Sequence, residues 1–134
     1  SHKLTPGLVD DLVALARAVR EAGKNDVEFK KIQMTYNQRN NFQKLRYWGL
    51  TAHPAGPDGT RTRGRWLMTR NAARFIRGEI SLPKEIRTWR NRIDSKSEEH
   101  VYISQIKGHQ ETADYFQKDF FFAVHDTSQE PASV

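Results

Sequence analysis

Between residues 54 and 59 the chain reads Pro-Ala-Gly-Pro-Asp-Gly. Two prolines and two glycines in six positions leave no route for a helix, so the chain must turn here. The flanks narrow the choice. Leu50-Thr51-Ala52-His53 reads as a short strand entering the turn, and Arg65-Trp66-Leu67-Met68 as the strand that returns. Arg61, Arg63 and Arg65 alternate with Thr60, Thr62 and Gly64 in the connection. The middle of the chain is therefore a basic hairpin, and what lies on either side must pack around it.

Helices are punctuated on both sides. Thr5-Pro6-Gly7 gives a cap and a first-turn proline. Leu8, Leu12, Leu15, Ala16 and Val19 then form one apolar face, and Gly23 ends a helix of about 16 residues. Asn25-Asp26 introduces a short element, Val27 to Ile32, read as a short helix. Thr35-Tyr36-Asn37-Gln38 has the form of a capping box, opening a helix that runs to Trp48, with Gly49 as the left-handed exit. At about 100° per residue, Gln38, Asn41, Phe42, Leu45 and Trp48 share its inner side. Asn41 then reads as a structural amide, and Trp48, Trp66 and Trp89 as packing residues. Tyr36, Arg39, Asn40, Gln43, Arg46 and Tyr47 share the outer side, which is almost free of the Glu and Lys of a solvated helix. After the hairpin, Thr69 caps another helix with Ala72, Ala73, Phe75 and Ile76 inward, closed by Gly78.

Leu82-Pro83 breaks the chain. Glu85 to Ile93 and Val101 to Ile106 read as a second hairpin with Asp94–His100 as its loop, and Arg87, Arg90 and Arg92 on its first strand. Glu111 to Val124 reads as the last helix, with Phe116, Phe120 and Val124 on one stripe, and 126–134 as a disordered tail. The expected fold is α+β: a helix-rich unit with its basic hairpin over residues 5–80, a β-hairpin and C-terminal helix packed on it over 81–125, then the tail.

Charge is distributed in blocks. The net charge is +6, but residues 61–92 carry +8, with nine arginines and one lysine against Glu79 and Glu85, while residues 93–134 carry −5. Concentrated arginine is the footprint of a polyanion-binding surface, because the guanidinium fork matches phosphates and base edges. The competing reading is a solvated basic face.

Three local features resemble the winged helix-turn-helix domain. Phe42, Leu45 and Trp48-Gly49-Leu50 resemble the end of a recognition helix passing into a wing strand, with the spacing of MarR-like regulators. The basic hairpin follows at once. Trp66-Leu67-Met68-Thr69-Arg70-Asn71-Ala72-Ala73-Arg74-Phe75 resembles the wing-to-helix junction of such regulators, although Met68 separates Leu67 from Thr69 and Asn71 or Ala72 stands where a Gly is usual. The chain as a whole also resembles bacterial and phage proteins, which implies a fold and no role.

The resemblance implies double-stranded DNA as partner and a transcriptional regulator as function. The residue chemistry fits that expectation. Arg39, Asn40 and Gln43 are types that pair with guanine or adenine edges. Tyr36, Tyr47 and Lys44 suit phosphate, sugar or a thymine methyl, and Thr35 and Asn37 lie at a helix start that suits a phosphate. Arg61, Arg63 and Arg65 suit the minor groove or its phosphates. Two alternatives stay open: an adaptor whose basic surface holds an acidic partner, and an RNA-binding module. Phe116, Phe120 and Val124 suggest a homodimer contact, since so wide an apolar stripe needs cover.

Catalysis and cofactors find no foothold. The chain has no cysteine, which excludes a disulfide framework, a thiol nucleophile and a thiolate metal site. His2, His53, His100, His109 and His125 lack metal-ligand spacing; His109 with Glu111 and Asp114 reads as a surface cluster. Neither a nucleophile elbow nor a phosphate-binding loop is present. The longest apolar run, Phe120–Val124, is five residues, far short of the roughly 20 a membrane helix needs. No signal peptide opens the sequence and Ser1-His2 reads as a cloning remnant, so the expectation is a cytoplasmic protein whose natural chain extends further toward its N-terminus.

Overall fold

The computed structural model describes residues 1–125 and shows an α+β arrangement of short sheets and helices around one continuous apolar core that runs from Leu4 to Phe122. The expected tail, 126–134, lies outside the described residues.

Helix α1 (Pro6–Ala22) is the longest element. The Thr5 side chain accepts a hydrogen bond from the Leu8 amide at 3.2 Å, and Gly23 leaves the helix at φ 68°, a conformation that glycine takes without penalty. Seven apolar residues of α1, from Leu8 to Val19, are buried. The next segment differs from expectation. Asp26–Glu28 is a strand, β2, and Phe29–Lys31 is a single 3-10 turn, because Asp26, Val27 and Glu28 pair with Leu67, Trp66 and Arg65 of the returning hairpin strand.

The capping box at Thr35 forms in full, with Gln38 returning its side chain to the Thr35 amide at 2.8 Å. Helix α2 covers Tyr36–Asn41, and Phe42–Trp48 continues as a 3-10 helix. With about three residues per turn, positions three apart eclipse. Phe42, Leu45 and Trp48 therefore stack in one buried column, and Tyr47 turns inward to become buried instead of sharing the outer side. Asn41, expected inside, is exposed and bonds back to the Asn37 carbonyl at 3.1 Å.

Strands β3 (Thr51–Ala52) and β4 (Arg65–Met68) close the expected hairpin, and the sheet order is β2-β4-β3, all antiparallel. Thr69 then does two jobs. Its hydroxyl accepts from the Ala72 amide to start helix α3 (Arg70–Ile76) and donates to the Gly49 carbonyl at 2.6 Å, tying the exit of the 3-10 helix to the exit of the hairpin.

The C-terminal part departs further. Leu82–Pro83 is a strand, β5, paired with β8 (His100–Val101). The second hairpin joins β6 (Glu85–Trp89) to β7 (Arg92–Lys96) through Arg90 and Asn91, both at positive φ, 49° and 64°. A two-residue turn of that kind follows the twist of the strands. Asp94–Lys96 is therefore strand, and Ile103–Gln105 is a 3-10 turn. Strand β1 (His2–Lys3) pairs with β6, so the expected remnant is part of a sheet. The last helix is two, α4 (Thr112–Gln117) and α5 (Phe120–His125), parted where the Asp119 carboxylate accepts from the Phe121 amide. Phe116 is fully buried against Phe122, ring centroids 5.0 Å apart, so it belongs to the intrachain core and not to a dimer contact. The side chains of Phe120 and Val124 lie outside the described ones.

One core position is polar and unpartnered. Asp11 on α1 is 1% exposed, and neither carboxylate oxygen has a hydrogen-bond partner among the described residues. Burial, with Asp10 next to it, pushes its carboxyl up to about 7. The folded state thus holds a proton that the unfolded chain has already released above its ordinary value. Stability from this group is complete in acid and is lost as pH rises toward about 7, by about 4 kcal/mol in all. Asp11→Asn removes that loss, so its advantage over the wild type in urea unfolding grows between about pH 4 and pH 7. An advantage independent of pH would mean that Asp11 is ionised in the fold.

Candidate nucleic-acid interface

The residues expected to read DNA are divided by the structure among three places. Tyr36, 79% exposed, with Asn40 and Gln43, stays on the solvent side of the α2 segment. Thr35 is occupied by its cap. Asn37 and Lys44 face a different cavity, of about 350 Å3, shared with His2 and Asp11. There burial, then the Lys44 charge, holds His2 below its ordinary value.

Arg39 is a structural side chain. Its guanidinium donates to the carbonyls of Phe29 at 3.1 Å, Lys30 at 3.4 Å and Ile32 at 2.6 Å, and lies over the Phe29 ring. It gives three of its five N–H donors to the carbonyls of this turn, which fixes the guanidinium against the chain. Tyr47 is held between the His2 ring, stacked at 4.9 Å, and the Arg46 guanidinium, 4.5 Å from its ring centre. Arg65 is bound to Asp26 at 2.6 Å, with Glu28 beyond, an arrangement that raises its affinity for its proton. These three were expected at the interface because helix phase and charge suggested it. Arg39 and Arg65 are drawn away by β2 and the turn after it, and Tyr47 by the 3-10 geometry.

Arg61 and Arg63 remain available: both are exposed, with no ion-pair partner among the described residues. Their loop is ordered by its own backbone. Gly59 donates to the Gly56 carbonyl and Thr62 to that of Pro54, both at 2.9 Å, and Asp58 accepts from the Thr60 hydroxyl at 2.6 Å. That hydroxyl and the Thr60 amide hold the Asp58 carboxyl below its ordinary value.

The second hairpin supplies what helix phase did not indicate. Arg87, Arg90 and Arg92 are exposed on it, also without ion-pair partners among the described residues. Trp89 at its tip is 68% exposed, against the expectation that it packs, and Arg90 lies over its ring at 5.5 Å. Both hairpins line one cleft of about 720 Å3. Arg46, Arg61 and Arg92 contribute positive charge to it, and among the described residues no Asp or Glu lines it. On its floor His53 stacks on Trp66, ring centroids 3.9 Å apart, and His53 Nδ1–H donates to the Arg65 carbonyl at 2.9 Å. The clue in the sequence was the run of arginines at 61–65 and 87–92; that one arginine from each run, Arg61 and Arg92, meets in one cleft was not written there.

His109 is buried and bridges two elements, Nε2 to the Asp10 carboxylate at 2.6 Å and Nδ1 to the Thr112 hydroxyl at 2.9 Å. It is a strut between α1 and α4, not a surface cluster with Glu111 and Asp114. Among the described residues no group of three or more His, Asp or Glu side chains is placed to hold a metal ion. No helix is long and apolar enough to cross a membrane among the described residues.

Arg39→Ala should lower unfolding free energy by about 1–3 kcal/mol, the cost of leaving carbonyls without their charged donor. Chemical denaturation checks this; an unchanged midpoint would return Arg39 to the solvent side. Comparison of the chain with models of known protein families, with curated proteins and with solved structures finds no match.

Proposed function

We propose that this chain binds double-stranded DNA, as a winged-helix type of regulator would, with its two arginine-bearing hairpins carrying most of the contact. The observation that supports this best is the convergence of Arg61 and Arg92, one from each hairpin, on a cleft that no acidic side chain lines among the described residues. Arg65, by contrast, is paired with Asp26 at 2.6 Å. A rim of unpaired guanidinium groups suits a phosphate backbone, where counterions are displaced.

The order of elements supports the winged-helix part of the proposal: α1, a capped helix at 36–48, then a basic hairpin whose sheet is completed by β2. In this arrangement Tyr36, Asn40 and Gln43 supply base-edge chemistry, and Arg61, Arg63, Arg87 and Arg92 supply backbone contact. The acidic C-terminal segment is partly used inside the chain, since Asp119 pairs with Arg20 at 3.2 Å. That weakens the case for an acidic segment that covers the wing.

Changing Arg61, Arg63 and Arg92 together to Ala should weaken binding to random duplex DNA and lower the salt slope by roughly 0.9 per lost phosphate contact. Anisotropy titrations between about 50 and about 200 mM salt measure it. The melting temperature should hold, because none of the three side chains is packed. Affinity and slope equal to the wild type would remove the hairpins from the proposal.

A further inference from the structure

The cleft between the hairpins has features that contact with a continuous duplex does not use. Its volume, about 720 Å3, falls in the range of small-molecule sites, roughly 300–1,000 Å3. Its floor is aromatic and held on several sides. Trp66 is stacked by His53 and met edge-on by Phe42 at 5.4 Å, while the bond from His53 Nδ1 to the Arg65 carbonyl fixes the imidazole in place. The rim carries the charge: Arg61 and Arg92 have no hydrogen-bond or ion-pair partner among the described residues, whereas Arg46 gives two donors to the Gln43 carbonyl and the Tyr47 hydroxyl.

A second, independent feature lies beside it. Trp89 is a large apolar side chain 68% exposed at the tip of a strongly basic hairpin, and Ile93 on the returning strand is 45% exposed. Exposure leaves each of these side chains accessible to a ligand. Apolar side chains on basic elements serve as wedges that enter a base step and take over its stacking. Asn91 and Arg92, which line the cleft, follow Trp89 within three residues along the same turn.

Resting on the duplex-DNA reading above, we infer that the cleft receives one unpaired DNA base. The base lies against the His53–Trp66 floor, its flanking phosphates meet Arg61 and Arg92, and Trp89 occupies the gap left in the stack. A planar heterocycle with an anionic tether is the ligand that an aromatic floor under a cationic rim recognises.

The test uses the full chain and three probes: a fully paired duplex, the same duplex with one bulged 2-aminopurine, and the mononucleotide of that base. The bulged duplex should bind roughly 5- to 100-fold more tightly than the paired one, the range that base–aromatic stacking supplies. Its fluorescence should fall on binding, as the base stacks. His53→Ala and Trp89→Ala should each reduce that ratio of affinities. Trp89 is exposed, so its variant stands as the deciding one if His53→Ala melts early. Equal affinity for paired and bulged duplexes, or a ratio untouched by Trp89→Ala, would overturn the inference while leaving duplex binding intact. Mononucleotide binding with no preference between the duplexes would also overturn it, marking the cleft as a site for a free nucleotide. Failure to bind either duplex would remove both readings.

Discussion

The structure depends on the burial of helix α1. From Leu8 to Val19 its apolar residues meet α2, the following 3-10 helix, β2, β4 and α3, so that the β2-β4-β3 sheet and the C-terminal elements share one core. Each fully buried aliphatic side chain contributes about 1.5–3 kcal/mol, which makes this one helix the largest single source of apolar stabilisation. Its polar edges extend the same role. Asp10 holds His109 of the segment before α4, and Arg20 holds Tyr115 and Asp119 at the junction of α4 and α5. Asp11 is the exception on this helix, a carboxyl kept inside at the cost of its charge.

The hairpins gain their positions from a few bonds at the margin of that core. Thr69 joins the start of α3 to the Gly49 exit, and the Trp48 indole donates to the Pro83 carbonyl at 2.8 Å. The first bond sets where β3 and β4 leave the body. The second places the start of the second hairpin beside the entry to the first. The cleft is therefore a consequence of packing at the two exits, and neither hairpin could form it alone.

Arginine chemistry here follows from neighbours more than from residue type. Arg39, Arg65 and Arg61 lie in similar basic, polar stretches, yet they have three fates: one caps a turn, one closes an ion pair with β2, and one faces the cleft. The difference lies in the carbonyls and carboxylates each can reach. Strand β2 brings Asp26 and Glu28 to Arg65, and no comparable acid reaches Arg61 or Arg92 among the described residues.

Local signals were legible in the sequence because their causes are local. Thr5 with Pro6, the Thr35–Gln38 box, Gly23 and Gly49 at positive φ, the Pro54–Gly59 turn and the strand Arg65–Met68 each depend on residues within a few positions. The basic hairpin and the inward faces of α1 and α3 were readable on the same ground. What needed the tertiary structure were features settled by partners far along the chain. Val27 is strand because Trp66 pairs with it, and Arg90-Asn91 turns because β6 and β7 close around it, although neither residue announces positive φ as glycine does. Phe116 is core because α4 packs on α3 and its ring meets Phe122 of α5, where the stripe alone allowed a second chain just as well. For the candidate site the sequence named the chemistry, arginine beside aromatic residues. Which arginines remain unpaired, and that they meet over His53 and Trp66, was decided by the fold, because pairing depends on distances that no spacing in the sequence encodes.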